Sequence, residues 1–79
     1  MANAASILKR MRNNPRDWRI EDFKVVAAHY AIEHRQHGTS HVIFRHASGA
    51  AISVPAARPI KAVYVRGFLA LIDAAEESK

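Results

Sequence analysis

The chain has 79 residues, no cysteine, and a formal net charge of +5 to which five histidines can add. This length predicts one domain with a small core, and the lack of cysteine excludes disulfides and zinc–thiolate sites. No run approaches about 20 apolar residues, which argues against a transmembrane helix. The basic residues Lys9, Arg10 and Arg12 follow the short apolar N-terminal stretch, an order that is wrong for a secretory signal, so we expect a soluble cytoplasmic protein. The positive charge favours a polyanionic partner, either nucleic acid or an acidic protein.

Two helices are predicted before any strand. Residues 2–11 and residues 17 to about 31 both carry apolar side chains at helical spacing. The first apolar face comprises Ile7, Leu8 and Met11, and the second comprises Phe23, Val26, Ala27 and Tyr30. The sequence Asn13-Asn14-Pro15 separates the two helices because it stops the first one.

Three short strands with two tight turns follow. The strands are predicted over 32–36, 41–46 and 50–54, and the turns contain glycine. Connections this short imply an antiparallel meander. In the second strand Val42 and Phe44 alternate with Ile43, so these apolar side chains are expected on opposite faces.

A last helix is predicted from residue 61 to about residue 76. Its apolar face comprises Val65, Phe68, Leu69 and Ile72, flanked by Val63, Leu71 and Ala75. Gly67 interrupts this helix at a cost of about 1 kcal/mol relative to alanine, which suggests close packing there. Three strands cannot bury both of their faces, so the two longer helices should cover one face. We therefore expect a single α+β domain with an extra N-terminal helix (1–14) and an α-β-β-β-α core (17–77), the architecture of double-stranded RNA-binding domains.

The stretch 35–46 carries most of the chemically active side chains. It reads Arg-Gln-His-Gly-Thr-Ser-His-Val-Ile-Phe-Arg-His, and His41 stands where a glycine turn becomes a strand. A histidine in that place can be both exposed and held in position, as proton transfer near neutral pH requires. His37 and His46 are candidates for a second proton-transfer group. A metal or cofactor is not expected, because the histidines straddle a turn and no carboxylate occurs between residues 33 and 73.

Other residues are candidate contacts to a phosphate backbone. Gly38, Thr39 and Ser40 can present backbone N–H groups and hydroxyls to an anion, although such residues are also typical of an ordinary hairpin turn. Lys61 is the best placed cation, because the start of a helix adds the positive end of its dipole. Arg35 is favoured as a second cation of the site. The remaining candidates are Arg45, Arg66 and the aromatic Tyr64, which are also compatible with a solvated or core position.

The stretch 35–46 resembles the HicA (YcfA-like) toxins, the messenger-RNA-cleaving half of bacterial toxin–antitoxin pairs. Further residues carry the resemblance, namely Ala51-Ile52-Ser53-Val54-Pro55, Ile60-Lys61 and Tyr64-Val65-Arg66-Gly67-Phe68-Leu69. The similarity covers about residues 17–75. It implies a double-stranded RNA-binding-like fold, metal-independent endoribonuclease activity with His41 as the catalytic histidine, and inhibition by a HicB-type antitoxin.

Two positions depart from the pattern of that family. Ala31 stands where members usually have glycine after the second helix, and Ala62 stands where they often have proline. Glycine would suit a left-handed helix stop, which alanine adopts at a cost of about 1 kcal/mol or more. Proline is pre-organised for the first turn of a helix. Both departures bear on stability more than on catalysis.

Three functions therefore compete. The first is a toxin that cleaves single-stranded messenger RNA. The second is an RNA-binding module without catalysis, which would bind RNA with a steep salt dependence and release no fragments. The third is a protein-interaction domain whose basic face docks an acidic partner, which would not be toxic when expressed alone.

Overall fold

Three helices and one three-stranded sheet make up the part of the chain described by this computed structural model, which is residues 3–38, 40–56 and 59–77 without the side chain of His37. The elements are α1 (Ala4–Asn13), α2 (Ile20–His29), β1 (Glu33–His37), β2 (His41–Arg45), β3 (Ala51–Pro55) and α3 (Ala62–Glu77). The predicted α+β class and the order of the elements are confirmed, with bounds that differ by one or two residues at most ends. No helix in the described residues is long and apolar enough to cross a lipid bilayer.

The sheet has the order β1-β2-β3, with both pairs of strands antiparallel and β2 in the centre. Val42 pairs with Val54, and Phe44 pairs with Ile52. Val42, Phe44 and Val54 are fully buried, whereas Ile43 is only half-buried. The expected division of β2 into a core side and an open side is therefore confirmed, because successive residues of a strand point to opposite faces.

Three phenylalanines join the helices to the covered face of the sheet. The ring centroids of Phe23 in α2 and Phe68 in α3 lie 4.6 Å apart, and Phe44 in β2 lies 6.1 Å from the first and 5.2 Å from the second. All three side chains are fully buried. Aromatic clusters of this kind bury large areas and add about 0.5–1.5 kcal/mol per pair beyond that burial. Helices α2 and α3 are thus packed on the same face, which leaves the other face of the sheet open.

Helix α1 packs on α2 and α3 through Ile7, Leu8 and Met11, which belong to the same buried cluster as the sheet residues. Its N-terminal cap is Asn3, whose side-chain oxygen accepts a hydrogen bond from the backbone N–H of Ser6 at 2.9 Å. At the surface, an Arg12 guanidinium nitrogen lies 2.6 Å from a carboxylate oxygen of Asp73 in α3. The Tyr30 hydroxyl bonds to Glu76, also in α3. This hydrogen bond acts together with burial, the larger cause, to raise the pKa of Tyr30 above its ordinary value.

The predicted apolar face of α3 needs one correction. Leu71 is buried and belongs to the core, whereas Leu69 is only half-buried and Val63 is 64% exposed. Gly67 does pack closely on the sheet, because a Cβ atom built there would overlap Cδ1 of Ile52.

Helix α2 ends in a left-handed residue. Ala31 has φ of 58°, the backbone N–H of Ile32 donates to the carbonyl of Ala27 at 2.9 Å, and that of Ala31 donates to Ala28 at 3.5 Å. These bonds define a Schellman stop, in which glycine is the preferred residue at the left-handed position. The left-handed helix stop expected at residue 31 is therefore confirmed.

Candidate active site on the open face of the sheet

The open face of the sheet is the side that α2 and α3 leave uncovered. By strand alternation from the buried positions, it carries Glu33 and Arg35 of β1 and His41, Ile43 and Arg45 of β2. All of these residues are exposed except the half-buried Ile43. Among the described side chains, the open face therefore presents the imidazole of His41 and two guanidinium groups around a small apolar centre, with the carboxylate of Glu33 at one end.

His41 is the first residue of the central strand and is held by backbone pairing on both sides. It lies opposite His37 in β1 and opposite Pro55 in β3. The carbonyl of Ser40 accepts a hydrogen bond from the backbone N–H of Ala56 at 2.9 Å. The side chain of His41 is exposed and makes no hydrogen bond or ion pair with the described residues. Its backbone is thus fixed while its imidazole stays available to a ligand, as the sequence predicted.

Arg35 of β1 places a positive charge near His41. Arg35 lies opposite Ile43, two residues beyond His41, so it is a diagonal neighbour of the histidine at a Cα distance of about 7–8 Å. Arg45 shares the face but stands at the far end of β2, opposite Glu33. Neither arginine forms an ion pair within the described residues. Arg35 is therefore the cation best placed to act with His41.

The two other candidate histidines differ in position. His37 occupies the register position directly opposite His41, which makes it a candidate partner in proton transfer. His46 follows the far end of β2, about 17 Å from His41 at roughly 3.4 Å per residue. Its Nδ1 atom accepts the backbone N–H of Ser48 at 3.1 Å and lies 2.9 Å from the hydroxyl of Ser48. His46 therefore organises the turn between β2 and β3 and is too distant to act together with His41.

The hairpin turn next to His41 contains the predicted anion-binding residues. Gly38 adopts a left-handed conformation with φ of 64°, which glycine tolerates without strain. Ser40 is exposed, and its carbonyl is already bonded to Ala56. Thr39 lies outside the described residues, so its predicted contact stays a prediction. The turn conformation suits an ordinary hairpin as well as an anion site.

Lys61 immediately precedes α3 and occupies its N-cap position. Its carbonyl accepts the backbone N–H groups of Tyr64 at 3.0 Å and Val65 at 3.3 Å, and its own side chain is exposed. The predicted cation at a helix start is therefore present. The β3–α3 connection leaves the sheet at Ala56, beside His41, which places Lys61 within about 18 Å of that point along an extended chain.

Tyr64 and Arg66 are less well placed for the open face. Tyr64 is half-buried and packs against the core cluster. Arg66 is exposed, but it belongs to a helix that covers the opposite face of the sheet. The structure thus gathers His41, Arg35 and Arg45 on one face and leaves Arg66 away from them.

Two features of the surface are missing from the sequence interpretation. One is Ile43, whose half-buried side chain forms the apolar centre of the open face. The other is a groove at the corner between α1 and α2, lined by Arg10, Arg16 and Arg19. Strand alternation predicted the face on which Ile43 lies but not its part in the site, and nothing in the linear sequence brings the three arginines together. No group of three histidine, aspartate or glutamate side chains in the described residues is arranged to hold a metal ion.

We found no match to this chain among protein-family models, curated proteins or solved structures.

Proposed function

We propose that this protein is a HicA-like toxin, an endoribonuclease that cleaves single-stranded messenger RNA without a metal ion and uses His41 as a general acid or base. The single observation that carries the proposal is the exposed imidazole of His41 at the start of the central strand, with Arg35 as its diagonal neighbour. An imidazole buried in the core, or one surrounded by neutral surface, would not support this chemistry.

The proposed reaction uses the RNA itself as the nucleophile. The 2′-hydroxyl oxygen attacks the adjacent phosphorus, the bond from phosphorus to the 5′-oxygen breaks, and a 2′,3′-cyclic phosphate and a 5′-hydroxyl result. A base removes the 2′-hydroxyl proton and an acid supplies a proton to the leaving 5′-oxygen. His41 performs one of these transfers, and His37, at the opposing register position, is the candidate for the other. Arg35 stabilises the negative charge that develops on the phosphoryl oxygens.

The fold fits the same proposal. Helix α2, the three strands and α3 follow each other in the order of a double-stranded RNA-binding domain, with two helices on one face and α1 as an addition. The HicA-like assignment further implies a cytoplasmic site of action and a HicB-type antitoxin as protein partner. An acidic surface on that partner would complement the cations of the open face and keep RNA away from His41.

The decisive experiment compares the wild-type protein with His41→Ala and His34→Ala on single-stranded RNA in the presence of a chelator. His34 is a matched control, because it is exposed on the neighbouring strand but lies opposite Phe44, on the other face. We expect His41→Ala to lose about 10²–10⁴-fold in cleavage rate, with partial rescue by added imidazole. His34→Ala should remain within about twofold of wild type.

Three results would each contradict a different part of this proposal. Full activity of His41→Ala would remove this residue from the mechanism. Salt-sensitive RNA binding without fragments would favour the non-catalytic RNA-binding module. Cleavage that stops on addition of the chelator would contradict a metal-independent reaction.

A further inference from the structure

The corner between α1 and α2 carries a second set of cations, remote in sequence from the open face. Arg10 at the end of α1 and Arg16 and Arg19 in the following loop line one groove, which we call the arginine corner. All three side chains are exposed, and none forms an ion pair within the described residues. Arg12 differs, because it bonds to Asp73. The guanidinium groups of the arginine corner are therefore available to an external anion.

The loop that presents these arginines is fixed by hydrogen bonds. The side-chain oxygen of Asn14 accepts the backbone N–H of Arg16 at 3.2 Å, and its carbonyl accepts the indole N–H of Trp18 at 2.6 Å. The backbone N–H of Arg19 donates to a carboxylate oxygen of Asp22 at 3.2 Å, at the start of α2. These three hydrogen bonds hold the backbones of Arg16 and Arg19 in a constant relative arrangement. A fixed arrangement lowers the entropic cost of binding.

The groove suits phosphate groups better than bases. Trp18 is only 9% exposed, and the guanidinium of Arg10 lies 5.5 Å from the centre of its ring, so this aromatic side chain cannot serve as a stacking platform. The remaining groups in reach are guanidinium donors, which bind phosphate oxygens in bidentate fashion. Asp17 and Asp22 also line the groove, which reduces the formal charge of its lining residues to about +1. A groove with this small net charge would bind phosphate weakly by itself. It can instead extend a stronger phosphate-binding site.

A backbone connection links the arginine corner to the hairpin that holds His41. Trp18 pairs with Ile60, whose N–H donates to the carbonyl of Trp18 at 3.0 Å, and Lys61 follows directly. The same connection begins at Ala56, which bonds to Ser40 next to His41. Ile60 lies four residues after Ala56 in the chain, so these two points lie at most about 14 Å apart. A single strand that occupies roughly 4–16 nucleotides can reach both.

We propose that the arginine corner is an accessory phosphate-binding site that extends the RNA track from the His41 hairpin past Lys61 to the junction of α1 and α2. This inference rests on the proposed function, since it assumes that RNA is the ligand of the open face. Because the contacts are to phosphates, the arginine corner should add affinity without adding sequence preference.

The test measures how salt weakens binding of a fluorescent 12-nucleotide 2′-O-methyl oligouridine, which lacks the nucleophilic hydroxyl and stays intact. The variant replaces two cations, Arg16→Gln with Arg19→Gln. The matched control removes the same charge elsewhere, Lys9→Gln with Lys24→Gln, because neither lysine lines the groove. Each phosphate contact to a single strand contributes about −0.7 to the slope of log K against log salt. We expect the arginine variant to lose about 1.4 in slope and the lysine variant to lose much less.

Other outcomes overturn the inference. Equal losses in both variants would show an effect of net charge alone, and an unchanged slope in the arginine variant would show that no phosphate binds there. An oligoglutamate that binds with the same dependence on these arginines would assign the arginine corner to an acidic protein segment. Cleavage of unmodified RNA, assayed on the same preparations, separates the two proposals. An active wild-type enzyme with an unchanged slope removes only the arginine corner, whereas RNA binding without cleavage removes only the nuclease.

Discussion

Replacement of Ala31 by glycine should stabilise the protein, although glycine is usually the destabilising residue of the two. Ala31 occupies the left-handed position of the Schellman stop of α2, with φ of 58°. A side chain with a Cβ atom costs about 1–2 kcal/mol in that conformation. The greater freedom of glycine in the unfolded chain costs about 0.5–1 kcal/mol. The difference predicts that Ala31→Gly raises the free energy of unfolding by about 0.5–1 kcal/mol.

The effect is measurable in a domain of this size. One kcal/mol changes the midpoint of thermal unfolding by about 4–8 °C for 60–100 residues, so Ala31→Gly should raise Tm by roughly 2–8 °C. Urea titrations followed by circular dichroism give the free energy directly and show whether the m-value stays constant. A constant m-value would show that the substitution changes stability without changing the compactness of either state.

A matched alanine provides the control. Ala70 is exposed within α3, where φ is helical, and Ala70→Gly should lower the free energy of unfolding by about 1 kcal/mol. The two substitutions change the same atoms and differ only in the backbone conformation at the site. A lower Tm for Ala31→Gly, similar to that of Ala70→Gly, would refute the left-handed conformation of Ala31.

Two further predictions concern packing and pH. Gly67→Ala gains about 1 kcal/mol of helix propensity but meets Cδ1 of Ile52, so the gain should emerge fully only in an Ile52→Val background. A double-mutant cycle by urea denaturation should give a coupling of about 1 kcal/mol, and additive effects would contradict the close approach. Tyr30 has a raised pKa in the folded protein, caused first by burial and then by its hydrogen bond. Its contribution to stability is therefore complete below the unfolded pKa of about 10 and is lost as pH rises through the folded pKa. Tyr30→Phe should reduce the alkaline loss of stability.

The elements of this fold could be predicted because their signals are local. The alternation of Val42, Ile43 and Phe44 fixed which side of β2 is buried, and glycines marked both turns. Leu69 was predicted on the apolar face of α3 but is only half-buried, whereas Leu71 was predicted beside that face but is buried. Local signals did not distinguish the two leucines. Both leucines flank the same helical stripe, and which of them is buried depends on the neighbouring elements of the fold.

The site was predictable to the same extent. The position of His41 at a turn–strand boundary implied exposure. The predicted first strand ended at Gln36, so the pairing of His37 with His41 was not predicted and became visible only because β1 extends to His37. The distance between His41 and His46 also follows from strand geometry, once both are known to belong to the same extended segment. The arginine corner was not predictable, because its arrangement depends on the conformation of an irregular loop, which the local hydrogen bonds of Asn14 with Arg16 and Trp18 set. Arg66 likewise could be placed only after the side of the sheet covered by α3 was known.

Because one face of the sheet is covered and the other is open, residues of the candidate site can be replaced without disturbing the core. The fully buried side chains of the sheet, Val42, Phe44 and Val54, lie on the covered face, whereas His41 and Arg35 on the open face are exposed and lack partners among the described residues. Substitution of an exposed residue without such partners changes stability by about 0.5 kcal/mol at most. A loss of activity in His41→Ala at unchanged Tm would therefore report on RNA binding or proton transfer and not on folding. Conversely, the stabilising Ala31→Gly, which lies at the opposite end of β1 from the hairpin turn, should leave the cleavage rate unchanged.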